Sequence, residues 1–113
     1  MEAIPGPLSR AEALREAARM ASVLEEAHRT GAAENDERTD VYEFGCALFQ
    51  MLTGRPVSSA RRRVEPPRLE KFLVKCLASE PAERFQTIAE MNAALDKLAK
   101  GRSIRIEYVF IAI

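Results

Sequence analysis

The side chains with chemical potential are few and fall in a short interval. His28 is the lone histidine, Glu34, Asp36, Glu37 and Asp40 form an acidic run, and Cys46 and Cys76 are the thiols. A nucleophilic site needs an activated nucleophile beside a base. His28 has no Ser, Cys or Asp partner at a readable spacing, so it is assigned no catalytic role. The four carboxylates have the chemistry to hold a hard cation, but their spacing fits no EF-hand loop, and a solvated acidic connector is the simpler reading. The cysteines lie thirty positions apart in apolar helical patterns, without a CxxC pair. They read as reduced core thiols, not as a metal or disulfide pair. Arg61, Arg62 and Arg63 have the charge to contact phosphates, but in a neutral chain they read first as a solvated loop.

Bulk composition narrows the class without choosing a function. The chain has 113 residues, 47% hydrophobic and 30% charged, with 17 basic and 17 acidic residues. That suits one modest globular core and gives no net electrostatic case for nucleic acid or an anionic membrane; any such binding needs a local patch. No metal or organic cofactor is implied. The opening MEAIPGPLSR lacks a basic start followed by an apolar run, so a signal peptide is not expected and the cytoplasm is the default location. Tyr108 to Ile113 is purely apolar, but far short of the roughly 20 residues that span a bilayer.

Four helices are expected to carry these side chains. Ser9 and Glu12 form a capping box that starts a helix ended by Gly31, with Leu14, Ala17, Ala18, Ala21, Leu24 and His28 along one side. After the connector 32–38, Thr39 is expected to cap a second helix running to Thr53, stopped by Gly54 and Pro56. Val41, Tyr42, Phe44, Cys46, Leu48, Phe49, Met51 and Leu52 place apolar residues on more than one of its faces, which calls for an enclosed, central position. A third helix is expected from about Arg68 to Ala78, with Leu69, Phe72, Leu73, Cys76 and Leu77 inward. Thr87 and Glu90 form a second capping-box pattern that opens a fourth helix carrying Ile88, Met91, Leu95 and Leu98. Residues 101–113 change to an alternating, β-branched pattern, a strand without a partner strand upstream. The expected fold is an all-α small bundle of about four helices over residues 1–100, with a C-terminal tail, 101–113, as strand or truncated linker.

Two motifs in this frame resemble the C-lobe of bacterial-type serine/threonine protein kinases. Thr39-Asp-Val-Tyr-Glu-Phe-Gly45 and Met51-Leu-Thr-Gly-Arg-Pro56 resemble the two ends of its central helix F. Cys76-Leu77, Glu80-Pro81, Glu83-Arg84-Phe85 and Met91 resemble its helices H and I. The helix that ends Ala27-His28-Arg-Thr-Gly31 is similar to helix E. The resemblance covers about Leu8 to Leu98, and implies that Asp40, Gly45 and Arg84 are family-matching structural positions. In the family the helix F aspartate holds the catalytic loop, and the arginine pairs with the Glu of Ala-Pro-Glu. Here Asp40 reads more simply as a carboxylate in a first helical turn. Arg84 is exposed or paired with a substitute such as Glu34, Glu37 or Glu80.

The departures bear on activity. Phosphoryl transfer needs a phosphate cradle, a lysine, a magnesium-holding aspartate and a base on the substrate hydroxyl. The five glycines, Gly6, Gly31, Gly45, Gly54 and Gly101, compose no G-x-G-x-x-G loop. His-Arg-Asp, Asp-Phe-Gly and Ala-Pro-Glu are also missing. No nucleotide-binding lobe is read ahead of Met1, and the interval from Gly54 to Leu69 is too short for helix G. The expectation is a non-enzymatic, pseudokinase-like remnant that binds another protein or itself. Tyr42, Phe49, Arg61, Arg62 and Arg63 are its candidate surface, because helix F loses covering elements. The alternatives are a decayed fragment of a kinase gene, whose parent had a membrane segment after Ile113, or one half of a split kinase.

Overall fold

The computed structural model describes residues 7–57 and 64–99. Helix α1 is Arg10–Thr30, α2 is Glu37–Thr53, α3 is Pro67–Cys76, and α4 covers residues 88–99; a single 3-10 turn, Pro81–Glu83, precedes α4. Among the described residues there is no strand, and the all-α bundle is the fold that forms. The strand expected over 101–113 lies outside the described residues. No helix among those described is long and apolar enough to cross a membrane.

The helix ends follow from local chemistry. At α1 the capping box closes in both directions, the Glu12 N–H donating to Ser9 Oγ and the Ser9 N–H donating to the Glu12 carboxylate. Gly31 and Gly54 end α1 and α2 at φ 82° and 75°, a left-handed conformation that costs a residue with a Cβ about 1–2 kcal/mol. The start of α2 corrects the expectation that Thr39 caps it. Asp36 caps instead, accepting the Thr39 N–H at 2.8 Å, so the helix begins at Glu37. At α4 the box is displaced: Thr87 Oγ1 accepts the Glu90 N–H, but the Glu90 carboxylate reaches back to the N–H of Gln86.

Helix α2 is the hub, packing on both α1 and α3. Val41, Phe44, Leu48, Phe49 and Met51 are buried, and Tyr42, Cys46 and Leu52 pack half-buried against them. Fully burying one such large side chain contributes about 1.5–3 kcal/mol. From α1 the buried line is Ala13, Ala17 and Ala21, four apart, so the small methyls let the helices approach closely. Ala18, expected inward, is exposed, because it lies about 100° round the helix from Ala17. Leu69, Phe72, Leu73, Cys76 and Leu77 of α3, with Ile88, Met91 and Leu95 of α4, complete the core. Phe72 sits between Phe44 and Phe85, at centroid distances of 6.4 and 5.3 Å.

Gly45 is the point of closest packing. A Cβ built there would stand 2.7 Å from the Cys76 Cβ and 3.1 Å from Leu77 Cδ2. The absence of a side chain is therefore what lets the α3 end seat on α2.

Candidate functional site

The family-matching residues gather at one end of the bundle, where α1 ends and α2 begins. The backbone between them is short. Helix α1 stops at Thr30, the α2 cap is Asp36, and the N–H groups of Ala32 and Ala33 fold back onto the Ala27 carbonyl. That brevity brings His28 opposite Asp40, in the first turns of α2. His28 Nε2 donates to Asp40 Oδ2 at 2.6 Å, and both side chains are nearly buried. Asp40 is therefore more than a carboxylate favoured by the helix dipole: it ties α2 to α1. A charge-assisted hydrogen bond of this kind contributes about 1.5–3 kcal/mol.

Arg84 neither hangs in solvent nor takes a carboxylate partner, which corrects both alternatives expected for it. Its guanidinium donates to three carbonyls, those of Ala78 at 2.8 Å, Arg38 at 3.2 Å and Ser79 at 3.4 Å. It also lies over the Tyr42 ring, 4.8 Å from the centroid. One side chain thus joins the end of α3, the turn before α4 and the start of α2. Glu37, one of the expected partners, instead accepts the Ile88 N–H at 2.7 Å and caps α4 across 51 residues of chain. Asn92 donates to Glu25, tying α4 to α1.

The candidate interaction residues separate. Tyr42 is half-buried under Arg84. Phe49 is 1% exposed, so it is core and not surface: the helices that remain close over it. Arg61, Arg62 and Arg63 lie outside the described residues. Where α2 keeps an open flank, a cavity of about 350 Å³ runs along α1, lined by Met20, Val23, Leu24, Asp40, Glu43 and Phe44 among others. Val23 there is 58% exposed, in keeping with a lost neighbour.

The remaining reactive groups offer little chemistry. Burial, with Cys46 close by as a lesser cause, pushes the Cys76 thiol up to about 12, so it stays protonated and inert. Neither cysteine is in a disulfide. The acidic connector does not converge, and among the described residues no group of His, Cys, Asp or Glu is arranged to hold a metal ion. The Thr39 N–H, donating to the Asp36 carboxylate, holds that group below the usual carboxylate range.

The all-helical bundle, its central helix anchored by His28 with Asp40 and closed by Arg84, places the family-matching residues on the helices that the resemblance implied. Comparison with known proteins agrees. The chain is 34% identical over 88 residues to the serine/threonine-protein kinase PknB of Mycolicibacterium smegmatis, covering 60% of this chain and 14% of the kinase. It is 37% identical over 86 residues to PknB of Mycobacterium tuberculosis, and 33% identical over 90 residues to PknD of Chlamydia muridarum, of which it spans 10%. No family model matches the chain. The chain is thus similar to a segment of bacterial serine/threonine protein kinases, in keeping with a C-lobe fragment, and spans only a small part of each. The 88 aligned positions of the first kinase meet about 68 residues here, 60% of 113, so some twenty of its positions have no counterpart in this chain. A gap of that size agrees with the short Gly54 to Leu69 interval.

Proposed function

We propose that the chain is a non-catalytic, kinase-like helical module that works by binding another protein in the reducing cytoplasm. The observation that carries this is the connector between α1 and α2. Only residues 31–35 separate the end of α1 from the Asp36 cap, and the N–H groups of the first three are already bonded to α1. In a kinase the catalytic base, the metal-holding aspartate and the substrate-facing segment must be positioned together on the nucleotide phosphates. Five residues, Gly-Ala-Ala-Glu-Asn, supply neither those groups nor the reach. The gap is internal to the bundle, so a second chain that brought a nucleotide-binding half would not fill it.

The anchors support the same reading. Asp40 and Arg84 are satisfied within the scaffold, by His28 and by backbone carbonyls, so the helices hold together without a catalytic loop. A protein that keeps such a frame keeps surfaces, and surfaces bind. The test is thermal unfolding of the full chain with and without millimolar magnesium-ATP. No change in Tm is expected. A saturable rise, of the size that ligand binding to the native state imposes, would overturn the non-catalytic reading.

A further inference from the structure

We propose that the cleft between α1, the start of α3 and the end of α4 is a docking groove for an acidic, amphipathic helical segment of a partner protein. This deepens the interaction reading above and rests on it. The cleft encloses about 380 Å³. Its floor is aliphatic, made by Leu14, Leu69 and Leu98 with the exposed methyl of Ala18. Arg10, Arg15 and Arg68 stand around it, and among the described residues no carboxylate lines it. Among the described residues these three arginines make no ion pair and no side-chain hydrogen bond, although the chain has as many acids as bases.

Several of the acids lie far from the cleft. Glu34, Asp36, Glu37, Glu80, Glu83 and Glu90 all belong to the opposite end, where α1 and α3 finish and α2 and α4 begin. The cleft's own end is mixed, with Glu12, Glu16, Glu65, Glu70 and Asp96 on the same turns, so the positive charge belongs to the cleft's rim and not to the whole end. An apolar floor between three helices, rimmed by cations that make no ion pair among the described residues, matches an amphipathic helix that lays down its aliphatic side and offers Glu or Asp to the rim.

Other occupants fit less well. Among the described residues the cleft has no aromatic side chain on which bases would stack, as single-stranded nucleic acid requires. Its apolar residues line a concave cleft, whereas a bilayer is met by a protruding apolar face. The chain's own residues 100–113, which follow Ala99 at the cleft edge, carry Lys100, Arg102 and Arg105 against Glu107. That excess of positive charge opposes the arginine rim.

The experiment uses the full chain, isotope-labelled for amide NMR. One probe is a sixteen-residue peptide designed with Leu on one side of a helix and Glu on the other; a second is the same peptide with Lys for Glu. The acidic peptide is expected to shift amides within 10–18, 66–69 and 95–99, and to bind about tenfold less tightly when salt rises from 50 to 500 mM. The triple variant R10E/R15E/R68E should lose the acidic peptide and gain the Lys peptide, with its helical circular dichroism unchanged. Ala18→Trp, at an exposed position, should block both. Equal binding of the two peptides would overturn the proposal. So would arginine-dependent binding to phosphatidylglycerol vesicles without peptide binding, or the same amide shifts on deleting 101–113 with no peptide present. Failure of any of these leaves the magnesium-ATP result unaffected, so the two readings fall separately.

Discussion

The two ends of this bundle are built on different principles. At the end where α1 meets α2, polar groups are spent on one another: His28 on Asp40, Arg84 on three carbonyls and the Tyr42 ring, Glu37 on the first N–H of α4. At the other end, Leu8 donates its N–H to the Met51 carbonyl, but Arg10, Arg15 and Arg68 surround an aliphatic cleft without partners among the described residues. The first arrangement holds helices in place. The second leaves charge and apolar area available, and so belongs to recognition and not to stability.

That contrast is breakable. The largest effect is expected from Asp40→Ala, which leaves the nearly buried His28 Nε2 without its acceptor; about 2 kcal/mol should be lost, a fall of roughly 10 °C in Tm. Asp40→Asn retains an acceptor and should recover most of it, as urea unfolding would show. Arg84→Ala should cost about 1–2 kcal/mol, because three carbonyls lose a donor together. An unchanged Tm for either alanine variant would mean that the polar end is not what fastens the fold.

A smaller effect concerns acid. The carboxyl of Asp36 has a lower pKa folded than unfolded, since the Thr39 N–H favours its ionised form. Its stabilisation is therefore present above the unfolded value and disappears as pH falls through the lower, folded one. Asp36→Asn should keep the cap but flatten the decline of stability in that acid window. Smallest of all, Arg10→Gln, Arg15→Gln and Arg68→Gln should each move stability by no more than about 0.5 kcal/mol, while weakening the acidic peptide. A substantial loss of stability from these changes would erase the difference between the ends.

Much of this was legible in the residues. The α1 capping box, the glycine stops and the many-sided apolar pattern of α2 are local signals, and each appears where the spacing placed it. The limits of such signals are equally specific. Thr39 and Asp36 are both competent caps, and only the path of the connector decides between them. Phe49 is apolar on a helix thought uncovered, and its burial depends on how far α1 and α3 close in. The partners of Arg84 were sought among carboxylates, yet carbonyl groups carry no sequence signature. The arginine-rimmed cleft was missed for the same reason: Arg10, Arg15, Arg68 and Leu98 are scattered along the chain, and net charge averages over the rim that matters.

By itself, the sequence determined the helices, the glycine stops of α1 and α2, the enclosed role of the segment from Asp40 to Thr53, and the likeness to a kinase C-lobe, because these depend on neighbours within a few residues. Only the tertiary structure decided that Asp40 and Arg84 are satisfied inside the scaffold, and that Arg10, Arg15 and Arg68 meet around one cleft. Both are facts of distance between residues far apart in the chain. Hydrogen bonds and screened charges act over ångströms of space, whatever the separation in sequence.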